Sequence, residues 1–228
     1  MTVINLILAE AALELIPSEI ASHPSVVKSA RRRGKHWSEM LLDVSLHYSA
    51  MRRLRDRHKR GRPDITHIVL LEALSSPLNI EGYLNVYIHT VGDYVIFVDP
   101  TTRMPRNYNR FVGLIEQLFK EGKVPPNSAK PLMEVKPMNF KNLIKYLGKS
   151  GIIALSERGE LTSCSEVCRK AINEDLPIVI GGFPHGDFND DVYEVSKYVY
   201  SIYGKPLDTW VVTSRIISKC EEVLGITK

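Results

Sequence analysis

The sequence contains little cysteine: Cys164, Cys168 and Cys220 are the only three among its 228 residues. An odd and sparse set argues against the disulfide framework of a small secreted protein. Cys164 and Cys168 stand one helical turn apart, but no histidine pair or second cysteine pair completes a zinc site. We therefore expect buried, apolar thiols and no metal.

Long apolar runs are also missing, and none reaches the roughly 18 residues that a membrane-spanning helix needs. The apolar stretch from Thr2 to Leu8 is short and follows no basic segment, so it predicts a first core strand rather than a signal peptide. We expect a soluble, intracellular protein that binds no membrane. The length suits a single domain, residues 1–228, with an elaborated insert.

Charges of the two signs are unevenly distributed along the chain. Residues 28–62 contain twelve lysines and arginines but only three acids, whereas residues 160–228 contain seven basic and eleven acidic residues. Clustered cations release counterions from a phosphate backbone, so the front half suits a polyanion such as nucleic acid. A solvated charged face is the alternative.

Hydrophobic periodicity predicts strands that alternate with helices. The predicted strands cover residues 2–8, 85–90, 94–98, 132–135, 151–155 and 177–180. The predicted helices cover residues 38–54 with Ser38 as N-cap, 64–74, 111–121, 140–147, 165–172 and 213–225. Short apolar strands between helices imply an α/β fold, with a parallel sheet covered by helices on both faces.

A loop before the third of these helices carries Arg103, Arg106 and Arg110 and no acid. Guanidinium groups match pairs of phosphate oxygens, and the nearby Tyr108 offers a ring on which an unpaired RNA base could stack. A loop of solvated arginines is the alternative.

Asp64 follows Arg62 and Pro63 where the second helix is predicted to begin. Three roles are open for this carboxylate. It could orient Arg62 through an ion pair, cap its own helix, or act as a general base.

A buried strand runs into the glycine-rich segment 181–188, and a related segment, 200–207, precedes the last helix. Ligands bind at the carboxyl ends of strands in α/β sheets. The glycine spacing matches neither the dinucleotide fingerprint nor the phosphate-binding loop, so a plain turn is an equal alternative. No HExxH or GxSxG motif declares a catalytic group, which favours a reaction whose reactive group comes from a cofactor.

Four segments in combination resemble the ribosome-biogenesis pseudouridine N1-methyltransferases. They are Arg62–His67, Ser76–Asn79, the strand through Val86–Ile88, and Pro100–Arg106 followed by Arg110 and Phe111. That family belongs to the SPOUT class of knotted, S-adenosyl-L-methionine-dependent RNA methyltransferases. The resemblance extends over nearly the whole chain.

The resemblance implies a SPOUT-type domain with a deep C-terminal trefoil knot, a homodimer, and an RNA-binding region at about residues 28–125. It implies that RNA is contacted by Arg62, Arg103, Arg106 and Arg110, and that Asp64 holds Arg62 in place. Since a carboxylate paired with an arginine is a weak base, we expect Asp64 to orient Arg62 rather than take a proton.

The resemblance also implies that S-adenosyl-L-methionine lies in the knot against the backbone of three loops. The matching positions are Leu155, Gly181, Gly186, Ile202, Tyr203, Gly204, Lys205, Pro206 and Leu207. Phe183-Pro184-His185 between the glycines departs from the pattern of eukaryotic members, which leaves side-chain contacts to the cofactor open.

The predicted function is therefore methylation of N1 of a pseudouridine in small-subunit ribosomal RNA, during ribosome biogenesis. The expected location is the cytoplasm, as for archaeal members of similar length, whereas eukaryotic members act in the nucleolus. Two alternatives remain open. One is a non-catalytic assembly factor that uses the same arginines, and the other is a SPOUT methyltransferase that acts on another RNA base.

Overall fold

The computed structural model describes residues 3–227, so Thr2 of the predicted first strand lies outside the described residues. The strands are β1 (Ile4–Ala11), β2 (Leu84–Thr90), β3 (Tyr94–Val98), β4 (Lys123–Val124), β5 (Met133–Pro137), β6 (Ile152–Leu161), β7 (Ile178–Gly181) and β8 (Ser196–Ser201). The α-helices are α1 (Pro24–Arg33), α2 (Val44–Met51), α3 (Pro63–Ser75), α4 (Pro77–Ile80), α5 (Tyr108–Glu121), α6 (Phe140–Tyr146), α7 (Cys164–Glu174), α8 (Asp190–Glu194) and α9 (Thr209–Val223).

The strands form one eight-stranded sheet in the order β4-β5-β3-β2-β1-β7-β6-β8. The central strand β1 pairs in parallel with β2 and β7, and β6 pairs in parallel with β7 and β8. Strands β3, β5 and β4 extend the β2 edge in antiparallel pairing. The predicted parallel arrangement is thus correct for β1, β2, β6 and β7, and β8, which was not predicted, joins them in parallel. The antiparallel pairing of β2 with β3 confirms the predicted hairpin. The parallel prediction is wrong for β5, which is antiparallel to both of its neighbours, β3 and the unpredicted β4.

Helices cover both faces of the sheet, as the alternation of its strands predicted. Leu6 and Leu8 of β1 point to one face, where they join a core built with α3, α5, α7 and α9. Ile7 and Ala9 point to the other face, where they pack in a second core with Phe140 of α6 and neighbouring side chains. Because both faces of β1 are buried, its sequence is almost continuously apolar.

Residues 16–54 form a small third core beside the sheet, with Ile16, Met40 and Met51 among its buried members. The single helix predicted for residues 38–54 is wrong. Met40 and Leu42 are extended, because Met40 O accepts a hydrogen bond from Ile16 N (2.8 Å) and Leu42 N donates one to Glu14 O (2.9 Å). Helix α2 begins only at Val44, and Ser38 does not cap it.

Asp43 is the N-cap residue of α2, where its carboxylate accepts a hydrogen bond from Ser45 N at 2.8 Å. Helix α1, which precedes this stretch and carries Arg31, Arg32 and Arg33 in its last turn, was not predicted. Its cationic turn hides the apolar spacing on which a helix prediction depends.

Helices α7 and α9 are joined by a disulfide bond between Cys168 and Cys220. The expectation of free buried thiols is therefore wrong for these two residues, although both are buried. Only Cys164 is a free thiol, half-buried at the start of α7. The sequence pattern drew attention to the neighbours Cys164 and Cys168, whereas the packing of two distant helices decides the pairing.

No helix within residues 3–227 is both long enough and apolar enough to cross a bilayer. Over the same residues, no group of three or more His, Cys, Asp or Glu side chains is arranged as a metal site.

Candidate functional site

A cleft with a volume of about 300 Å³ opens at the carboxyl ends of β6, β7 and β8. This size lies at the lower end of the range for small-molecule sites, and the position is where α/β sheets bind ligands. Eight of the nine predicted cofactor positions line the cleft: Leu155, Gly181, Gly186, Ile202, Tyr203, Lys205, Pro206 and Leu207. Gly204 does not line it. The structure thus brings the segments after three strands together, while their role toward a cofactor stays a prediction.

Strand β6 bulges where it borders the cleft. Tyr200 of β8 pairs with both Leu155 and Glu160 of β6, so residues 156–159 of β6 have no partner in β8. Gly159 makes this possible, because a Cβ at that position would lie 2.5 Å from the carbonyl carbon of Tyr200. The bulge contributes Ser156 and Glu157 to the cleft wall. Sequence reasoning missed Gly159, since a single glycine among charged residues gives no clear signal of a bulge.

The glycine loop after β7 is fixed on two sides. Gly182 N donates a hydrogen bond to Ala9 O (2.7 Å), and Gly182 O accepts one from Ala12 N (2.8 Å). A Cβ on Gly182 would lie 2.7 Å from the Cα of Ala11 at the end of β1, so only glycine fits. On the other side, Thr209 Oγ1 of α9 donates to Gly181 O at 2.8 Å. Gly182 is thus a point of close approach to β1, and the loop that follows it lines the cleft.

Asp187 provides a carboxylate at the cleft wall. Its Oδ1 accepts hydrogen bonds from the Tyr193 hydroxyl (2.6 Å) and from Ser156 Oγ (3.2 Å). Burial and the bond to Asp187 raise the pKa of Tyr193 to about 12, which keeps it a donor at neutral pH. Oδ2 lies 3.1 Å from Arg158 Nε but accepts no well-aligned hydrogen bond within the described part of the chain. One buried carboxylate oxygen therefore remains able to accept from a ligand.

Arg62 and Asp64 form a two-pronged ion pair close to this cleft. Arg62 Nε donates to Asp64 Oδ1 at 2.8 Å, and Nη2 donates to Oδ2 at 2.7 Å. These bonds raise the pKa of Arg62, and Asp208, which follows the cleft residue Leu207, adds to the effect. Helix α3 begins at Pro63, with Arg62 in the N-cap position, so Asp64 lies in the first turn and does not cap. Of its three possible roles, capping is excluded and the pairing with Arg62 is observed.

The arginine loop is held firmly while its cations stay exposed. The His67 ring of α3 stacks on Phe111 at 4.4 Å between centroids, and His67 Nε2 donates to Pro105 O at 2.7 Å. These contacts join the loop to the helix that carries Arg62. Asn107 caps α5 by accepting from Arg110 N at 3.1 Å.

The loop arginines Arg103, Arg106 and Arg110 are all exposed, and none lies within ion-pair distance of a carboxylate among residues 3–227. Their guanidinium groups are therefore available to phosphate.

Tyr108 does not present a free ring. Its hydroxyl donates to Asp43 Oδ2 at 2.6 Å, and its pKa is raised by burial and by that carboxylate. The ring also packs beside His67 at 5.9 Å between centroids. Tyr108 thus links α5 to the segment before α2, which argues against the base-stacking role considered for it.

The basic run of residues 28–62 divides into two equal sets. Six of its twelve cations lie within 4 Å of a carboxylate, including Arg33 and Lys35, which both bind the buried Glu116 of α5. The other six have no such partner in the described chain, and all are exposed: Lys28, Arg31, Arg32, Arg52, Arg53 and Arg57. Four of the paired cations, Arg33, Lys35, Lys59 and Arg60, therefore tie the insert to neighbouring elements. Arg55 pairs only with the adjacent Asp56 and faces solvent, as the unpaired set does.

Comparison with known proteins agrees with this architecture. The family model described as EMG1/NEP1 methyltransferase matches residues 6–221. A ribosomal RNA small subunit methyltransferase Nep1 from Staphylothermus marinus is 55% identical, over 98% of this chain and 97% of that protein. The protein of the same name from Saccharolobus solfataricus is 47% identical, over 97% and 98%.

A solved structure is similar over the same extent. The crystal structure of Archaeoglobus fulgidus Nep1 bound to S-adenosylhomocysteine matches with a TM-score of 0.87 and 38% identity, over 99% of this chain and 100% of that one. The resemblance found in the sequence is confirmed. With a family match that runs from β1 into α9 and relatives that share half of its residues, the chain belongs to the EMG1/NEP1 methyltransferase family.

Proposed function

We propose that this chain is an S-adenosyl-L-methionine-dependent methyltransferase that methylates N1 of a pseudouridine in small-subunit ribosomal RNA, as a step of ribosome biogenesis. The observation that carries the proposal is the cleft at the carboxyl ends of β6, β7 and β8, with the Arg62–Asp64 pair close to it. Relatives that match nearly the whole chain are ribosomal RNA small subunit methyltransferases. The similar Archaeoglobus protein binds S-adenosylhomocysteine, which is what remains of the methyl donor after transfer.

The residues of the cleft fit S-adenosyl-L-methionine. Leu155, Ile202 and Leu207 offer apolar contacts for a purine ring. Oδ2 of Asp187, which lies near Arg158 but accepts no well-aligned hydrogen bond among residues 3–227, offers an acceptor for a hydroxyl or an ammonium group. The segments around Gly181 and Gly186 offer backbone groups at close range. When bound, the cofactor supplies an electrophilic methyl group.

The protein's own part is to position the RNA. A base inside a stack cannot reach the cleft, so the target nucleotide must be splayed out of its helix. Arg103, Arg106 and Arg110 would bind the phosphates on either side, since they are exposed and unpaired among the described residues. Arg62 would bind closest to the cleft, in an orientation fixed by Asp64. Both oxygens of Asp64 are engaged by Arg62, so we assign it the orienting role and attribute the rate mainly to positioning and electrostatics.

The proposal includes a deep C-terminal trefoil knot in one SPOUT-type domain. After the edge strand β8, the chain returns across β6, and α9 starts beside β7, where Thr209 bonds to Gly181. This return of the chain from the edge strand β8 to the level of β7 supports the proposed knot. Within residues 28–125, β2 and β3 belong to the central sheet. The proposed RNA-binding elements of that range are therefore its loops and helices.

We also propose a homodimer that acts in the cytoplasm. The support for the dimer is the resemblance to a family whose members are homodimers. Sedimentation equilibrium should return about twice the chain mass of 25.8 kDa. A mass of one chain at micromolar concentration would contradict the dimer.

The deciding experiment measures the transfer of labelled methyl from S-adenosyl-L-methionine to two matched RNA hairpins. One hairpin carries pseudouridine in its loop, and the other carries uridine at the same position. Transfer to the pseudouridine hairpin alone is expected, because uridine offers no N–H at the equivalent position. Transfer to both would keep the methyltransferase and discard the pseudouridine target.

A third outcome would favour a non-catalytic assembly factor. That outcome is transfer to neither hairpin, together with tight RNA binding and no cofactor binding. The exposed cations of the insert and of the arginine loop would serve such a factor equally well.

A further inference from the structure

A second pocket, with a volume of about 250 Å³, adjoins the cleft. It lies between α2, the turn that carries Arg57, and the glycine loop after β7. Pro184 and His185 of that loop line this pocket and also line the cleft. The two cavities therefore share a wall, and nothing in the proposed mechanism uses the second one.

The lining of this pocket combines apolar surface with cations. Val44, Met51 and Pro184 provide the apolar part, and Arg57 and Arg62 stand at the rim. No carboxylate lines it among the residues that the structure describes. An apolar pocket with a cationic rim complements a nucleobase attached to its phosphate, because the base has apolar faces and the phosphate carries negative charge.

Tyr48 gives the pocket an aromatic surface. Tyr48 is 60% exposed, on a helix that also contributes buried residues to the small third core. The guanidinium carbon of Arg52 lies 5.8 Å from the centroid of the ring. Exposed aromatic rings beside arginines are how proteins stack the bases of single-stranded RNA.

We propose that this pocket binds the base of an unpaired nucleotide next to the one that is methylated, stacked on Tyr48. Its phosphate would lie toward Arg57 and the exposed Arg52 and Arg53. The shared wall of Pro184 and His185 stands between such a base and the cleft, so the pocket suits a neighbouring nucleotide rather than the target itself. The inference rests on the proposed function, because it takes RNA as the substrate whose target lies at the cleft.

The test is a set of RNA hairpins in which single nucleotides flanking the pseudouridine are made abasic, one at a time. Dissociation constants are measured for the wild-type protein and for Tyr48→Ala. Removing the base that occupies the pocket should weaken wild-type binding about fivefold or more, the usual range for a stacked base. Tyr48→Ala should weaken binding of intact RNA by a similar factor and lose nothing further on that one abasic hairpin.

Two variants serve as controls. Tyr146→Ala removes an equally exposed tyrosine (62%) from α6, outside the pocket, and should bind every hairpin as the wild type does. Tyr48→Trp keeps a stacking surface and should retain the affinity and the sensitivity to the abasic position. Cofactor affinity should be unchanged in all three variants.

The inference is overturned if the losses from Tyr48→Ala and from each abasic position multiply independently, since no base would then contact that ring. It is also overturned if Tyr146→Ala weakens binding as much as Tyr48→Ala. Failure of the proposed function looks different. In that case, the wild-type protein transfers no methyl group to pseudouridine hairpins, whatever the binding data show.

Discussion

The proposed cofactor cleft and the proposed RNA-facing surface of this protein are built by different means. The cleft depends on backbone shape: a bulge at Gly159, a close approach at Gly182, and the carboxyl ends of three strands. The RNA-facing surface depends on side chains: Arg62 is held by its ion pair with Asp64, and the loop of exposed arginines is held by His67, which stacks on Phe111. The two regions should therefore respond differently to substitution. Changes of shape should damage the cleft, and changes of charge should damage the RNA surface.

The largest effect is expected from the disulfide that ties α9, where the cleft ends, to α7. Cys168 and Cys220 are 52 residues apart, and closing a loop of that length stabilises a fold by about 4 kcal/mol. Adding reductant should lower the free energy of unfolding, measured in urea, by about that amount. Cys164→Ser should respond to reductant as the wild type does.

A thiol count gives an independent check on this bond. Denatured protein without reductant should contain one reactive thiol per chain, from Cys164. Three reactive thiols would show that the bond does not form.

Gly159→Ala tests the backbone shape of the cleft, at the bulge of β6. The added Cβ would meet backbone atoms of Tyr200, which cannot move aside as a flexible side chain can. We expect a loss of about 3 kcal/mol in stability, together with weaker cofactor binding by calorimetry. Gly113→Ala is the control, since nothing lies within 4 Å of a Cβ there and helix α5 should tolerate alanine well. Unchanged cofactor affinity in Gly159→Ala would show that the bulge in β6 does not contribute to cofactor binding.

Asp64→Ala tests the proposed RNA-facing surface at the ion pair between Arg62 and Asp64. Arg62 would lose both hydrogen bonds that fix its guanidinium group. Misplaced positioning groups cost on the order of 100-fold in rate, so kcat should fall by about that factor. Cofactor affinity should stay the same, and Asp64→Glu should recover part of the rate. If kcat of the wild type depends on pH and Asp64→Ala abolishes that dependence, Asp64 acts as a general base instead.

Arg106→Ala should have a smaller effect, confined to RNA. One lost phosphate contact reduces the slope of log affinity against log salt by about 0.7 to 0.9, and affinity should fall uniformly across RNA sequences. Arg169→Ala, which removes an exposed arginine from α7, is the charge-matched control. Equal slopes for Arg106→Ala and the wild type would remove this loop from the RNA site.

The smallest expected effect is that of pH on the stability of the fold. Burial lowers the pKa of His47 in the insert and of His89 in β2. In the unfolded chain these rings take a proton near pH 6.5, while in the fold they resist it, so stability is full above that pH and falls as the pH drops below it. Urea unfolding at pH 7.5 and at pH 5.5 should show this loss. His47→Gln should reduce the loss, and an unchanged loss would exclude His47 as a source.

The difference between the two regions also explains what the sequence could predict. The alternation of apolar residues predicted the β2–β3 hairpin, and their helical spacing predicted helix α5. The cations of the arginine loop can be read directly from the sequence. Helix α1 and strand β8 were missed, since lysines, arginines and tyrosines in them obscure the apolar period. The start of helix α2 after Asp43 was missed because two hydrogen bonds hold Met40–Leu42 extended. Leu42 N donates one to Glu14 O, and Ile16 N donates the other to Met40 O. Those partners are distant in the sequence, as Cys220 is from Cys168.

The position of β1 in the sheet has a consequence for how the protein is made. One of its neighbours, β2, begins 73 positions after β1 ends, but the other, β7, begins only at Ile178. At synthesis rates of roughly 5–20 residues per second, β1 waits on the order of ten to thirty seconds for β7. During that interval an eight-residue strand, apolar except for Asn5 and Glu10, has an open edge, which is a template for pairing with other chains. The β7-facing edge of β1 is therefore open to mispairing throughout most of synthesis.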